Sequence, residues 1–247
     1  EGLDTHSMFA ADIFGHDLEY YSDKNRELYP ERGVERFIGK TSALATVYGC
    51  SYKKLLAICS NTLDKPLELN LERYRHLWGR LQLRERAKIQ KYEGKDAEET
   101  YTKWMFFKDV QDNFWKNNPE IKAWREAHIN RTKRLGYAIT IGGRLIRITG
   151  LDSLDVRTRL DAERKAVNFQ IQGSAADVMK QIMVRAYREI VLTGKGKIFA
   201  TVHDELLGSL KDPKDLDLVR SIMETTVTLR NIPIEADSKL TKTWADK

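Results

Sequence analysis

The chain has 247 residues, 41% hydrophobic and 32% charged, with a net charge of +6 and a pI of about 9.1. This composition excludes a disordered chain and suffices for one large or two small cores, while the cationic excess favours an anionic partner, nucleic acid first. No apolar run approaches the roughly 20 residues of a membrane helix, and the spacing of Cys50 and Cys59 fits no zinc or redox pattern, so both read as reduced thiols in a cytosol-like compartment.

In chain order, LDTHSMFAADIFG predicts a short helix, and residues 16–30 a polar, tyrosine-rich connection. The chain opens EGLDTH, and its first methionine, Met8, falls inside that helix, which suggests processing or excision from something longer. A helix is predicted from Glu31 to Tyr48, stopping at Gly49 and resuming through Leu55 and Leu56. Residues 60–100 are heavily charged. Within them Tyr74, Leu77, Trp78 and Leu81 make one apolar seam, with Arg73, Arg75, Arg80, Arg84, Arg86 and Lys88 elsewhere round the helix. Two further helices are predicted, through YTKWMFFKDVQDNFWKNN to Pro119 and from Glu120 to about Arg134. GYAITIGGRLIRITG reads as a hairpin around Gly142-Gly143. SAADVMKQIMVRAYREIVLTG returns to helix, with Ala175, Met179, Ile182, Met183, Ala186 and Ile190 on one face. KIFATV and LLGSL are strands around a His203-Asp204-Glu205 corner, DPKDLDLVRSIMETTVTL a last helix and IPIEADS a final strand. The class is mixed α+β, helix-rich, with a small antiparallel sheet.

Three stretches carry candidate chemistry. Arg36, Lys40, Leu44 and Tyr48 follow one another at i+4, a slowly drifting stripe that could grip a polyphosphate and offer a stacking surface, or simply face its cations to water. In ERKAVNFQIQGSAAD, residues Glu163, Arg164, Asn168 and Gln172 read as polar groups ahead of a closely packed helix; they could read base edges, or cap and connect. Asp204 on a tight turn could hold Mg2+, which takes one or two carboxylates plus substrate phosphates, or be an ordinary turn carboxylate.

Together and in this order, these stretches resemble the polymerase module of the family A DNA polymerases, relatives of bacterial DNA polymerase I and many phage replicases. EGLDTHSMFA is similar to that family's EGxDxHxxTA, RFIGKTSALATVYGCS to its motif B, RxxxKxxxFGxxYGxS, and GYAITIGGR to GYxxTxxGR. ERKAVNFQIQGSAADVMK resembles ERxAxNxPxQGTAADxxK, VHDE resembles motif C, and IPIEADSKLTKTW the terminal strand and tryptophan. The resemblance spans nearly the whole chain except about residues 60–97, which look like an insertion that could clamp DNA, dock a partner or be a solvated helix.

The resemblance implies a right-hand polymerase fold: mainly helical fingers over residues 1–135, then a palm with the motif C hairpin over 136–247. It implies Asp204 as a ligand of two catalytic Mg2+ ions with Glu205 nearby, and His203 against the primer-terminal nucleotide. Arg36 and Lys40, with His6, would hold the incoming dNTP, Leu44 would pack on its sugar, and Tyr48 would stack near the templating position. Arg164, Asn168 and Gln172 would contact the primer–template duplex, with Glu163 bracing the site. The location implied is the cytoplasm of a bacterium or of a phage-infected host.

Departures qualify the likeness. Leu44 stands where the family has Phe or Tyr, Ala43 and Ala45 replace Asn and Gly, and Gln170 stands where proline is usual. Motif A, which supplies the other metal-binding aspartate and the ribose-screening glutamate, has no counterpart among the 247 residues. The expectation is therefore a C-terminal fingers-and-palm portion, without thumb or first palm half, that is inactive until a separate or cleaved N-terminal half supplies motif A. Two other readings stay open. One is a primer–template or nucleotide-binding module without catalysis; the other is a relative of single-subunit RNA polymerases, against which Glu205 and the N-x-x-x-Q-G-S-A-A-D run weigh.

Overall fold

Gly49, in the left-handed region at φ 77°, and Ser51, whose hydroxyl accepts from Lys54 N, divide the first long helical stretch in two. These features belong to a computed structural model that describes residues 5–21, 31–63, 69–230 and 232–243. The chain forms two compact units, residues 1–129 and 130–247.

The first unit is helical among its described residues: α1 (Thr5–Phe14), α2 (Arg32–Val47), α3 (Tyr52–Thr62), α4 (Glu72–Arg80), α5 (Leu83–Glu93), α6 (Ala97–Asn117) and the start of α7 (Pro119–Leu135). Its core gathers Ile38 of α2, Leu55, Leu56 and Cys59 of α3, Tyr74 of α4 and Phe106, Phe107 and Val110 of α6. The single helix predicted to carry Tyr74, Leu77, Trp78 and Leu81 together with Arg84, Arg86 and Lys88 is in fact two helices. Leu81 turns extended and ends α4, and Gln82 begins α5 with a capping box to Glu85. Tyr74 and Trp78 are buried; Tyr74 donates to Asp109 of α6 at 2.7 Å.

The second unit opens with the predicted hairpin, β1 (Tyr137–Ile139) paired antiparallel with β2 (Leu145–Arg147). A 31-residue helix, α8 (Val156–Ala186), follows and runs into a π-helical turn, Tyr187–Val191. Then come β3 (Gly196–Val202), β4 (Glu205–Leu210) and α9 (Leu216–Thr225). The C-terminal half of α8 buries Val178, Met179, Ile182 and Ala186, with Ile190 and Ile222 of α9, under Ile198, Leu206 and Leu210 of the β3–β4 hairpin. Two residues assigned to that face, Ala175 and Met183, are exposed.

Two further expectations are corrected. Glu163, Arg164, Asn168 and Gln172 do not precede the helix: they lie within it, because Asp155 caps α8 much earlier, accepting from Thr158 N at 2.8 Å. IPIEADS forms no strand among the described residues. Pro233 brings no N–H to a ladder, and the amide of Ala236 is taken by Glu224 Oε1 at 3.2 Å. The terminal Trp244 and residues 22–30 of the polar connection lie outside the described residues. No described helix is long and apolar enough to cross a membrane.

Candidate functional site

Helix α2 presents its two faces to different surroundings. Ile38, Gly39, Ser42, Ala43 and Thr46 are buried, whereas Lys40 is exposed, Leu44 is 44% exposed and Arg36 and Tyr48 are half-buried. The Arg36–Lys40–Leu44–Tyr48 stripe therefore lies on the side away from the core. Besides its Ile38 contact with the core, α2 is held by α1. A Cβ built on Gly39 would sit 2.7 Å from Ala10 N and 2.9 Å from its Cα, so the two backbones touch where only hydrogen fits. Beyond the C-terminus of α1, His16 approaches Glu35 at 3.5 Å and Tyr21 donates to Glu35 at 2.8 Å. Burial first, and the bond to Glu35 next, raise the Tyr21 phenol well above its ordinary range. With Ala10 against Gly39 and the chain after α1 against Glu35, the helices run antiparallel, and His6 lies a turn further toward the C-terminal half of α2. Both His6 and Arg36 have contacts of their own, whereas Lys40 has no hydrogen-bond or ion-pair partner among the described residues.

Past the end of α2 lies a cavity of about 210 Å³ lined by Thr46, Gly49, Cys50, Gln111 and Trp115, with Lys122, Arg125 and Glu126 of α7 at its rim. Gln111 Nε2 donates to Cys50 O at 2.8 Å and holds the α2–α3 turn against α6.

In the second unit, the β1–β2 hairpin and the middle of α8 are locked together by residues that sequence reasoning had left without roles. The buried carboxylate of Asp177 accepts from the Thr140 hydroxyl and from Arg144 Nε at 2.9 Å. Arg144 also donates to Gly173 O at 2.8 Å, and Ser174 Oγ accepts from Ile141 N at 3.0 Å. Two glycines are required by this contact: a Cβ on Gly142 would sit 2.8 Å from Asp177 Oδ2, and one on Gly173 would sit 2.7 Å from Thr140 Cγ2. The Thr140 bond first, then Arg144, hold the Asp177 carboxyl below the usual carboxylate range. The signal available in the sequence was the pairing of T-x-G-x-R in one motif with G-S-x-x-D in the other.

Along the same helix, Arg164 pairs with Asp161 at 3.2 Å, and Gln172 is exposed. Glu163 is engaged, while the buried Oδ1 of Asn168 has no hydrogen-bond partner among the described residues. At the β3–β4 corner the turn is two residues long, closed by the pair Val202 and Glu205. His203 takes the left-handed conformation at φ 57°, a local strain for a non-glycine residue. His203 and Asp204 are exposed and unpaired among the described residues; Glu205 is the first residue of β4, half-buried and engaged. Leu206, beside it, packs on the Val178–Ile190 half of the long helix, whereas Glu163–Gln172 belong to the half that carries or precedes the β1–β2 contact. Among the described residues no group of three or more His, Cys, Asp or Glu is arranged to hold a metal.

The same architecture occurs in the POL domain of Pol1 from M. smegmatis, solved in complex with DNA primer-template and dNTP. The match has a TM-score of 0.60 and 22% identity, over 94% of this chain and 32% of that one. The fold is thus part of a right-hand polymerase fold, α+β with small antiparallel sheets. Residues 79–246 match DNA polymerase family A. The thermostable DNA polymerase I of Thermus thermophilus is 33% identical over 138 residues, 54% of this chain and 16% of that protein. DNA polymerase I of Borreliella burgdorferi is 33% identical over 138 residues, 55% of this chain and 15% of the relative. That of Bacillus caldotenax is 33% identical over 144 residues, again 16% of its length. The chain belongs to DNA polymerase family A and spans about one sixth of the length of these relatives. The family match begins inside the charged segment read as an insertion, so α1 and α2 lie ahead of it.

Proposed function

We propose that this chain is the fingers-and-palm portion of a template-directed DNA polymerase, with fingers mainly within residues 1–135 and palm within 136–247. It would add dNTPs to a primer 3′-OH together with a polypeptide that supplies motif A and the thumb. The observation that carries this reading is the exposed, unpaired Asp204 at the apex of a two-residue turn between β3 and β4. A short hairpin holds a carboxylate with little freedom, and among the described residues no basic side chain pairs with it. Its donor chemistry, one hard oxygen ligand with Glu205 adjoining, suits Mg2+, whose other ligands here would be substrate phosphates and the motif A aspartate. When bound, the metal pair activates the primer hydroxyl and neutralises charge on the transferred phosphate.

The chain's own residues supply the rest. Lys40, exposed and unpaired, and Arg36 a turn earlier would bind the triphosphate and spread its charge, with His6 reaching the same helix from α1. Leu44 would pack on the sugar, giving less surface than an aromatic residue and no hydroxyl, so sugar or nucleotide discrimination should differ from that of relatives with Phe or Tyr. Tyr48 would stack near the templating base. Arg164, Asn168 and Gln172 follow at i+4 on one side of α8 and would lie along the duplex, with Glu163 as a brace; the orphan Asn168 oxygen is the kind of group a ligand satisfies. His203 would meet the primer terminus.

The test is Mg2+-dependent primer extension with this chain mixed with, or fused to, an upstream family A polypeptide carrying motif A. Extension that appears only in the joined form, and disappears in Asp204→Ala and Lys40→Ala, is expected. Extension that survives Asp204→Ala would remove the proposed metal site. No extension in the joined form, with tight Mg2+-independent binding of primer–template, would replace the enzyme with a binding module.

A further inference from the structure

Residues 71–96 contain eight Lys or Arg against four Asp or Glu, a net +4 out of the chain's +6. Neither the fold nor the proposed polymerase site uses most of this charge. Helix α5 buries none of its residues. Arg84, Lys88 and Lys91 fall within about 60° of arc on one face of it, with rises of about 6 Å and about 10 Å from the first. Tyr92, on the flank of that face, is 81% exposed. Among the described residues these three cations, and Lys95 just past Gly94, have no carboxylate partner. The acidic residues of α5 are directed elsewhere: Glu85 is spent in the capping box with Gln82, and Glu93 lies on the opposite side, half-buried. Arg86 does not join the stripe, because it donates to Gly79 O and ties α5 to α4.

We propose that α5 is a second nucleic-acid surface, binding the phosphate backbone of a single DNA strand along Arg84, Lys88 and Lys91, with a base stacked on Tyr92. Unpaired cations at helical repeats track successive phosphates, and an exposed aromatic ring beside them serves any base. A protein partner is disfavoured by the same features: the stripe has no apolar centre, and a continuous row of cations must be matched by a continuous row of anions. The surface requires neither nucleotide nor metal, so it stands apart from the polymerase reading.

The test uses the whole chain in EDTA, with fluorescence anisotropy of a labelled oligo-dT strand and of a duplex of the same length, each over a range of salt. The triple variant R84Q/K88Q/K91Q should lower the slope of log K against log salt by about 2 for the single strand, at roughly 0.7 per phosphate contact. Tyr92→Ala should weaken the single strand roughly tenfold, within the range for one stacked base. The charge-conserving R84K/K88R/K91R should bind as the parent does, which separates lost charge from lost folding. Unchanged affinity and slope in the neutral variant, with unchanged thermal melting, would overturn the proposal. So would a loss confined to duplex.

Discussion

Gly39→Ala tests the contact that holds α1 on α2. In a helix interior, glycine to alanine ordinarily stabilises by about 1 kcal/mol, because alanine restricts the unfolded chain and favours the helix. At Gly39 the new methyl would meet Ala10 N at 2.7 Å, its Cα at 2.9 Å and its Cβ at 3.0 Å. The nearest obstacle is backbone, and ordinary contact between heavy atoms lies at about 3.5–4.0 Å, so α1 must retreat by roughly 0.7 Å. Overpacking of this kind costs about 1–3 kcal/mol, which outweighs the helical gain and leaves a net loss of about 1 kcal/mol. Gly33, in the first turn of the same helix, has nothing within 4 Å of its would-be Cβ. Gly33→Ala should therefore stabilise by a few tenths to 1 kcal/mol. Urea unfolding followed by tryptophan fluorescence reads this unit, since Trp78, Trp104, Trp115 and Trp124 lie in it and only Trp244 lies outside. The two variants should move the midpoint in opposite directions. A Gly39→Ala midpoint as high as that of Gly33→Ala would mean that α1 does not rest on Gly39, and His6 would lose its place beside the α2 stripe.

Ser42 is 2% exposed and its hydroxyl has no hydrogen-bond partner among the described residues, so Ser42→Ala should raise stability by about 1 kcal/mol in the same unfolding assay; a loss would reveal a bond to that oxygen. Cys59 is fully buried and its thiol is pushed up to about 12, chiefly by burial, so at pH 8 a disulfide reagent should titrate Cys50 rapidly and Cys59 only after urea is added. Equal rates for the two thiols in the native chain would contradict the packing of α3. Asp177 has its folded value lowered, so its contribution to stability is present above the ordinary carboxylate value of about 4 and is lost as pH falls through the folded value. Urea midpoints at pH 7, 5, 4 and 3 should fall less steeply on the acid side in Asp177→Asn than in the parent; parallel curves would show that the carboxylate does not hold Thr140 and Arg144.

Periodicity made most helices legible because each buries one face: Ile38 and Ala43 in α2, and Phe106, Phe107 and Val110 in α6, recur at helical spacing. It failed where a polar event overrides pattern. Asp155 starts α8 well before any apolar face declares itself, and Glu224 with Pro233 denies a ladder to the alternating IPIEADS. The Thr140–Arg144–Asp177 lock was hidden for another reason: its hydrogen bonds to Asp177 and Gly173 join residues 29 to 37 positions apart, and no local rule relates a hairpin to a helix at that separation. The structure does divide the polar residues of the motifs into two kinds. Thr140, Arg144 and Asp177 have their hydrogen-bonding capacity consumed by the fold, so substituting them should cost stability first. Lys40, Asn168, Gln172, His203 and Asp204 have no such partner among the described residues. Maintaining His203 at positive φ and an Asn168 oxygen buried without a bond costs folding free energy, and neither contributes to a core. On the proposed reading, residues kept in that state take their partners from a primer, a template and a triphosphate.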